Sequence, residues 1–210
     1  MRERKVARLC TCSTKEVRGY LREVKPIIDR LSSELREINL PLGTMNTPLR
    51  GPIVWAVTRA LKPRVVIETG VASGFSTALI LQSLSLNGRG LLYSIDVPNL
   101  DPEAVLPDGK EPGWLIPKGL KERWTFIYGL SRDKLKPLLQ KLGSVDLFLH
   151  DSEHSYENMM FEFKAVWPFL REGGILLADD VTVNTAFKDF VNMKRPTYVT
   201  NFGGLGACRK

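Results

Sequence analysis

The chain has 210 residues, of which 43% are apolar, so it is long enough to bury the core of one domain. The formal net charge of +7 is uneven, because residues 1–50 hold 11 Lys/Arg against 6 Asp/Glu. No apolar run approaches the roughly 20 residues that cross a membrane, and no apolar segment of a secretion signal follows the charged start. Three cysteines are too few for a disulfide framework, so we expect a cytoplasmic protein with reduced thiols.

The basic N-terminal stretch is predicted to be helical. Apolar residues recur at spacings of three and four over residues 14–38, and Pro26 is expected to kink or divide this helix. An N-terminal amphipathic helix of this kind covers a sheet edge, covers a site, or pairs with another subunit in a homo-oligomer. The excess of basic residues in this stretch could bind an acidic partner or nucleic acid. The alternative is that these residues form a solvated helix face. We favour the solvated face because acidic residues are interleaved with the basic ones and aromatic neighbours are lacking.

Residues 41–52 are predicted to be a loop because they are rich in Pro and Gly, and residues 53–61 a helix that stops at Pro63. Residues 65–76, VVIETGVASGFS, then predict a buried strand, a glycine-rich turn and a helix start. Gly70 allows a sharp turn, Gly74 lets the next helix pack closely, and Ser76 is the expected N-cap. Such a unit holds a nucleotide or cofactor, the alternative being a tight turn without a ligand.

The spacing of the acids narrows the ligand. Glu68-x-Gly70-x-x-x-Gly74 lacks the middle glycine of the dinucleotide fingerprint and puts a carboxylate at the strand end, which suits a cationic or hydroxyl-rich ligand. A second predicted strand, residues 90–96, ends in Asp96. An acid about 20 residues beyond the turn faces the ribose hydroxyls in Rossmann-like units.

The remaining chain alternates strands and helices. Residues 97–118 contain five prolines and are predicted to be an inserted loop in which Trp114, Leu115 and Ile116 dock near the ligand crevice. The alternation predicts a mostly parallel sheet with helices on both faces, in a domain spanning residues 51–210 after an N-terminal helical extension, residues 1–50. Further strands are expected at 124–128, 145–151, 174–180, 196–202 and 205–208, and helices at 132–142, 156–170 and 184–193.

Acids also end two later strands. Asp151 and the pair Asp179–Asp180 follow consecutive strands, so their carboxylates are expected to converge and to bind a divalent cation such as Mg²⁺. The alternative is that one acid bonds the cofactor amine while the others cap helices or face solvent. His154, in the loop after the fourth strand, is either a general base or a structural loop histidine.

On these motifs the chain resembles the Rossmann-like (class I) S-adenosylmethionine (SAM)-dependent O-methyltransferases. The likeness rests on VIETGVASGFS, Asp96, the GLS after strand three, FLHDSEHSY and GGILLADDV, and runs from about residue 45 to residue 180. It is strongest to the family of macrocin-type macrolide-sugar O-methyltransferases and cephalosporin-hydroxylase-like proteins, and more distant to catechol O-methyltransferase. It implies a seven-stranded Rossmann-like sheet, SAM as methyl donor and a small hydroxylated molecule as acceptor.

The resemblance also implies roles for single residues. Thr47, Glu68, Gly70, Gly74 and Ser76 would lie at the methionine part of SAM. The remaining implied positions are Asp96 at the ribose, Ser131 at the adenine, and Asp151, Asp179 and Asp180 at the metal, with Asp151 also near the cofactor. Catechol-type enzymes have a lysine base where this chain has His154, so His154 or Asp151 would take the proton.

Three other functions stay open at this point. The basic N-terminal region motivates a nucleic-acid methyltransferase, although no RNA-binding motif is present. A SAM-binding protein without methyl transfer fits the same cradle. His150, Asp151 and His154 are close enough in sequence to keep a metal-dependent hydroxylase open, although the usual pattern of two histidines and one carboxylate is lacking.

Overall fold

The structure, a computed structural model, describes residues 1–37, 47–97, 106 and 109–210, with the backbone alone at residues 47–49. Eight α-helices and seven strands lie in this part of the chain. The helices are α1 (Arg2–Cys10), α2 (Thr14–Glu23), α3 (Lys25–Arg36), α4 (Thr47–Leu61), α5 (Phe75–Leu86), α6 (Ser131–Leu142), α7 (Tyr156–Val166) and α8 (Ala186–Lys194). The strands are β1 (Val65–Thr69), β2 (Leu91–Asp96), β3 (Trp124–Tyr128), β4 (Val145–His150), β5 (Leu170–Ala178), β6 (Tyr198–Asn201) and β7 (Gly206–Arg209), and a 3₁₀ helix spans Lys118–Arg123.

The strands form one seven-stranded sheet in the order β3-β2-β1-β4-β5-β7-β6. Neighbouring strands are parallel except at β7, which runs antiparallel to both β5 and β6. The predicted Rossmann-like, mostly parallel sheet is therefore confirmed. The strand order reverses between β1 and β4, and ligands of open α/β sheets bind beyond the carboxyl ends of the strands at such a point.

Helices cover both faces of the sheet, as the sequence predicts. Successive strand residues point to opposite faces. Leu147 and Leu149 of β4 therefore pack into a core with α1–α5, whereas Phe148 packs into a second core with α6–α8. These two cores fix the strand ends, and with them the loops that form the crevice.

The N-terminal helices pack against the same chain. The predicted helix over residues 14–38 is divided at Val24, with Pro26 in the first turn of α3, and Ile38 lies outside the described residues. The earlier helix α1 was not predicted. Val6, Val17 and Leu31 are fully buried in the core that contains α4 and α5, so α1–α3 cover one sheet face. A domain boundary at residue 50 stays a prediction.

The prediction of a loop over residues 41–52 is wrong from residue 47 onward, because α4 begins at Thr47. Pro48 lies in the first turn, where a backbone N–H has no helical partner to lose. Pro52 lies inside the helix, where burial of residues 53–57 outweighs the lost hydrogen bond. At Gly51 a Cβ atom would lie 2.8 Å from Leu79 Cδ1, so the missing side chain lets α4 approach α5.

Other element ends shift by a few residues. Helix α7 ends at Val166 rather than at residue 170, because Pro168 follows, and β5 begins at Leu170. Residues 98–105, 107 and 108 of the predicted loop 97–118 lie outside the described residues. No helix in the part of the chain that the structure describes is long and apolar enough to cross a membrane.

Candidate active site

The turn after β1 forms a cradle, the name used below for residues 70–74. Gly70 and Gly74 both have φ +86°, and Ala72 has φ 44°, so three residues adopt the left-handed region within five positions. Asp96 at the end of β2 holds the turn: its Oδ2 accepts hydrogen bonds from the backbone N–H of Val71 at 2.9 Å and of Ala72 at 3.0 Å. The acid that the spacing placed at the ribose therefore lies directly against the cradle.

Glu68 lies beneath the cradle and is fully buried. Its carboxylate accepts hydrogen bonds from Ser76 Oγ at 2.6 Å, Thr77 Oγ1 at 2.8 Å and Ser94 Oγ at 2.8 Å. Burial raises the pKa of Glu68 to about 7, although these three hydroxyls oppose the shift. Glu68 thus joins β1, β2 and the start of α5, and its oxygens face protein rather than the crevice.

Ser76 is not the N-cap that the sequence predicts. The N-cap position of α5 is Gly74, and no side chain caps this helix. Ser76 lies inside the first turn of α5, beyond the N-cap position, where it is buried and its hydroxyl donates to the Glu68 carboxylate. The role of Ser76 at the methionine part of SAM stays a prediction.

Residues 109–117 cover the cradle. Gly113 N–H donates to Ala72 O at 3.0 Å and Leu115 N–H donates to Ser73 O at 3.0 Å. A Cβ on Gly74 would lie 2.6 Å from Gly113 Cα, so Gly74 makes room for this segment rather than for the next helix. Leu115 and Ile116 are buried, which confirms that this part of the predicted loop docks.

Three side chains, Asp151, His154 and Asp179, lie together at the ends of β4 and β5 and are called the acidic group below. Asp151, His154 and Asp179 each offer one ligand atom, and these atoms lie within 4.8 Å of one another. His154 Nε2 is 3.9 Å from Asp151 Oδ1. Burial and the neighbouring Asp179 carboxylate raise the pKa of Asp151 well above its usual range. Asp180, predicted as the third metal ligand, does not belong to this group.

Arg50 of α4 pairs with both carboxylates after β5, which sequence reasoning missed. Its Nη1 donates to Asp179 Oδ1, and its Nη2 donates to Asp180 Oδ1 at 2.7 Å. Only 14% of the Arg50 side chain is exposed. One guanidinium thus bridges the two aspartates that the sequence assigned to a metal.

A second buried carboxylate, Glu162 of α7, lies under the ends of β1 and β4. It accepts from Thr69 Oγ1 at 2.6 Å and Ser152 Oγ at 2.9 Å, and His150 Nδ1 lies 2.7 Å from its Oε2. Burial alone would raise the pKa of Glu162, but attraction to His150 and the hydrogen bonds outweigh it and lower that pKa. His150 is fully buried, so this network fixes the strand ends rather than facing the crevice.

The structure gives less information on the roles of two other predicted cofactor residues, Ser131 and Thr47. Ser131 begins α6, and its hydroxyl donates to Asn158 Oδ1 of α7 at 3.2 Å. Its contact with the adenine stays a prediction. Thr47 begins α4, but its side chain lies outside the described residues.

A parallel α/β sheet with a glycine cradle at its switch point, anchored by an acid from the next strand, defines a Rossmann-like cofactor-binding protein. The family model described as "Methyltransferase domain" matches residues 67–181, more than half of the chain, and the chain belongs to this methyltransferase family. The predicted class of enzyme is therefore confirmed.

Solved structures share the fold at low sequence identity. An O-methyltransferase from Bacillus cereus in complex with SAH is 15% identical, with a TM-score of 0.58 over 92% of this chain and 100% of that chain. The SAH-bound methyltransferase PaMTH1 of Podospora anserina is 16% identical, with a TM-score of 0.56 over 88% and 95%. The calicheamicin methyltransferase CalS11 is 19% identical, with a TM-score of 0.55 over 89% and 92%. No curated protein matches the chain at a significant level.

Proposed function

We propose that this methyltransferase transfers a methyl group from SAM to a hydroxyl oxygen of a small molecule. The observation that carries the proposal is the contact between the cradle and the acidic group. Asp151 N–H donates to Thr69 O at 2.8 Å, and a Cβ on Gly70 would lie 1.8 Å from the Asp151 carbonyl oxygen. A donor in the cradle and an acceptor at Asp151 would therefore be neighbours, as direct transfer requires.

The cradle supports SAM as the donor. Two of the similar structures hold SAH, the form of SAM that remains after methyl transfer. In our proposal Oδ2 of Asp96 keeps its two backbone amides while Oδ1 accepts from the ribose hydroxyls. Bound SAM supplies a methyl group on a positively charged sulfur. In this proposal Glu68 does not contact the methionine part of SAM directly. It holds Ser76, and with it the first turn of α5, beneath the donor.

The acidic group supports an oxygen acceptor. As the new C–O bond forms and the C–S bond breaks, the acceptor hydroxyl must release a proton. His154 is the proposed base, and Asp151, whose raised pKa makes its carboxylate a stronger base, is the alternative. His154 Nε2 lies 3.9 Å from Asp151 Oδ1, which supports the proposal that either group could reach the same acceptor hydroxyl.

A divalent cation fits the donor atoms here, although not the predicted set. Asp151, His154 and Asp179 would hold it, and Asp180 would remain with Arg50. With a cation bound, His154 would therefore be a ligand and not the base. A bound cation would lower the pKa of a substrate hydroxyl. Because this set combines carboxylate and imidazole ligands, it suits Mn²⁺ or a similar ion as well as the predicted Mg²⁺.

The N-terminal surface supports a small acceptor over nucleic acid. Several of its basic side chains already have partners in the chain: Lys25 lies 3.5 Å from Asp29, and Arg30 lies 3.7 Å from Glu34. Arg8 stacks on the Tyr198 ring at 5.0 Å. These contacts favour the solvated helix face that the sequence analysis preferred. A homo-oligomer through α1–α3 and a cytoplasmic location stay predictions.

The test is SAM-dependent turnover against a panel of catechols, sugars and phenols, with SAH release measured by mass spectrometry. We expect one hydroxylated class to be methylated on oxygen. Replacement of His154 by Ala should lower kcat by about 10²-fold or more while leaving SAH binding unchanged. The matched control is Glu157→Ala, because Glu157 is exposed on the neighbouring first turn of α7.

Three results would contradict the proposal or one of its parts. Full kcat of His154→Ala across pH would move the base elsewhere. SAH binding without turnover on any panel member would favour a SAM-binding protein. Turnover on RNA, with affinity falling steeply as salt rises, would instead identify a nucleic-acid methyltransferase.

A further inference from the structure

The guanidinium of Arg50 lies in a site formed by Asp179, Asp180 and Gly204, which is called its seat below. The guanidinium projects from α4 and bridges Asp179 and Asp180 at the end of β5. The turn between β6 and β7 forms its third side. A Cβ on Gly204 would lie 2.6 Å from Arg50 Nη2, so a side chain at this position would require the guanidinium to move.

Hydrogen bonds to backbone groups hold the turn between β6 and β7 in place. Asn201 Oδ1 accepts from the N–H groups of Gly203 at 2.8 Å and Gly204 at 2.9 Å. Val181 N–H donates to Gly204 O at 3.0 Å, which joins this turn to the residue after Asp180. Asp180 itself has φ 49°, a left-handed conformation unusual for a side-chain-bearing residue. The pairing of Arg50 is therefore a feature of the fold and not a chance surface contact.

We infer that Arg50 is the resident cation of the Asp179–Asp180 pair, and that a divalent cation enters the Asp151–His154–Asp179 group only by competing with it. The inference rests on the proposed function and concerns the same crevice. Asp179 belongs both to the candidate metal group and to the Arg50 pair. A cation bound at Asp179 beside a largely buried guanidinium would meet like charge at short range, where repulsion is strong.

Competition has a consequence for the enzyme. With Arg50 in its seat, one of the two negative charges of the acidic pair is already balanced by the chain, so we expect the pair to bind divalent cations weakly. The fork of the guanidinium also matters, since one lysine ammonium is a point charge that does not match two carboxylates in the same way. Arg50 thus acts as a positioning residue that keeps Asp179 and Asp180 in place when no ion is bound.

The experiment titrates Mn²⁺ alone into the full chain, without SAM or acceptor, and follows free Mn²⁺ by electron paramagnetic resonance. We expect weak binding to the native chain and binding at least about tenfold tighter in Arg50→Gln, because the competing charge is gone. Adding Asp179→Asn to Arg50→Gln should abolish the gain. Arg59→Gln is the matched control, since Arg59 lies on the same helix and pairs with Glu23 at 3.2 Å.

Several results would overturn the inference. These are stoichiometric micromolar binding by the native chain, unchanged or undetectable binding in a folded Arg50→Gln, and an equal gain in Arg59→Gln. If near-ultraviolet circular dichroism shows that Arg50→Gln is unfolded, Arg50→Met decides, because it also removes the competing charge while keeping a side chain of similar length, and it must bind Mn²⁺ more tightly than the native chain. Ion binding is read here without turnover, so failure of methyl transfer in the acceptor panel would leave this result standing, and the reverse also holds.

Discussion

Replacing Glu68 by Gln should remove a large pH dependence from the stability of the protein. The group is fully buried, and its pKa rises from 4.5 to about 7 on folding. Each pKa unit corresponds to about 1.4 kcal/mol, so the shift corresponds to about 3 kcal/mol. Below pH 4.5 the carboxyl is protonated in both states and costs nothing. Between pH 4.5 and about 7 only the unfolded chain ionises, so the free energy of unfolding falls as pH rises.

The measured quantity is the difference in unfolding free energy between the native chain and Glu68→Gln. Urea titrations followed by tryptophan fluorescence at several pH values from 4.5 to 8 give this difference, in which the other titrating groups cancel. We expect the native chain to lose about 3 kcal/mol relative to the variant across this window. The amide can still bond the surrounding hydroxyls, since these donate and accept.

Glu162→Gln provides a control of opposite sign. Its carboxylate is also fully buried, but His150 and the hydrogen bonds hold its pKa below the usual value. The stability that it contributes is present above pH 4.5 and is lost as pH falls through the lowered pKa, so this control is read in urea titrations extended below pH 4.5 and should change little between about pH 5.5 and 8. A difference for Glu68→Gln that stays flat from pH 4.5 to 8 would refute the assignment of a raised pKa to Glu68.

Two further substitutions test the cradle. Gly70→Ala should destabilise the fold strongly and abolish SAH binding, because φ is +86° and the new Cβ would lie 1.8 Å from the Asp151 carbonyl oxygen. The control is Gly88→Ala, which has φ +68° but lies in open space and should lower the stability measured by thermal unfolding by only about 1 kcal/mol. Comparable losses in the two variants would contradict the role of close approach at Gly70. Asp96→Asn should keep the turn, since its amide oxygen can accept both backbone bonds, but weaken SAH binding measured by calorimetry about 10-fold or more, and native-like affinity would remove Asp96 from the ribose.

The sheet and the cradle were predictable because their signals are local. The buried β-branched run before Gly70 and the spacing to Asp96 are short-range patterns, and the structure places Asp96 directly on the turn. The start of α4 was not predictable in this way. Its prolines and Gly51 indicate a loop when taken alone, and only burial against α5 makes a helix the more stable choice.

The contacts of the site were harder to predict than its residues. Arg50 lies in a stretch that looked like loop, and its partner Asp179 is 129 positions away, so no local pattern links them. Glu162 carried a weak signal, because this acid lies between the apolar residues Met159 and Phe163 on the buried side of α7. An acid at a core position needs partners, and a search for such acids in amphipathic helices would have marked Glu162 as part of a buried network.

The position of α1 has a consequence for how the chain reaches this structure during synthesis. Lys5 Nζ donates to Asn201 O at 2.8 Å, and the same ammonium lies 5.9 Å from the centre of the Phe202 ring. These partners leave the ribosome nearly 200 residues after α1 does. Throughout that interval α1 lacks the strand ends on which it finally rests, so contact formation between the two is among the latest steps of folding. A nascent chain stalled before β6 should therefore leave Lys5 open to protease cleavage that the finished protein resists.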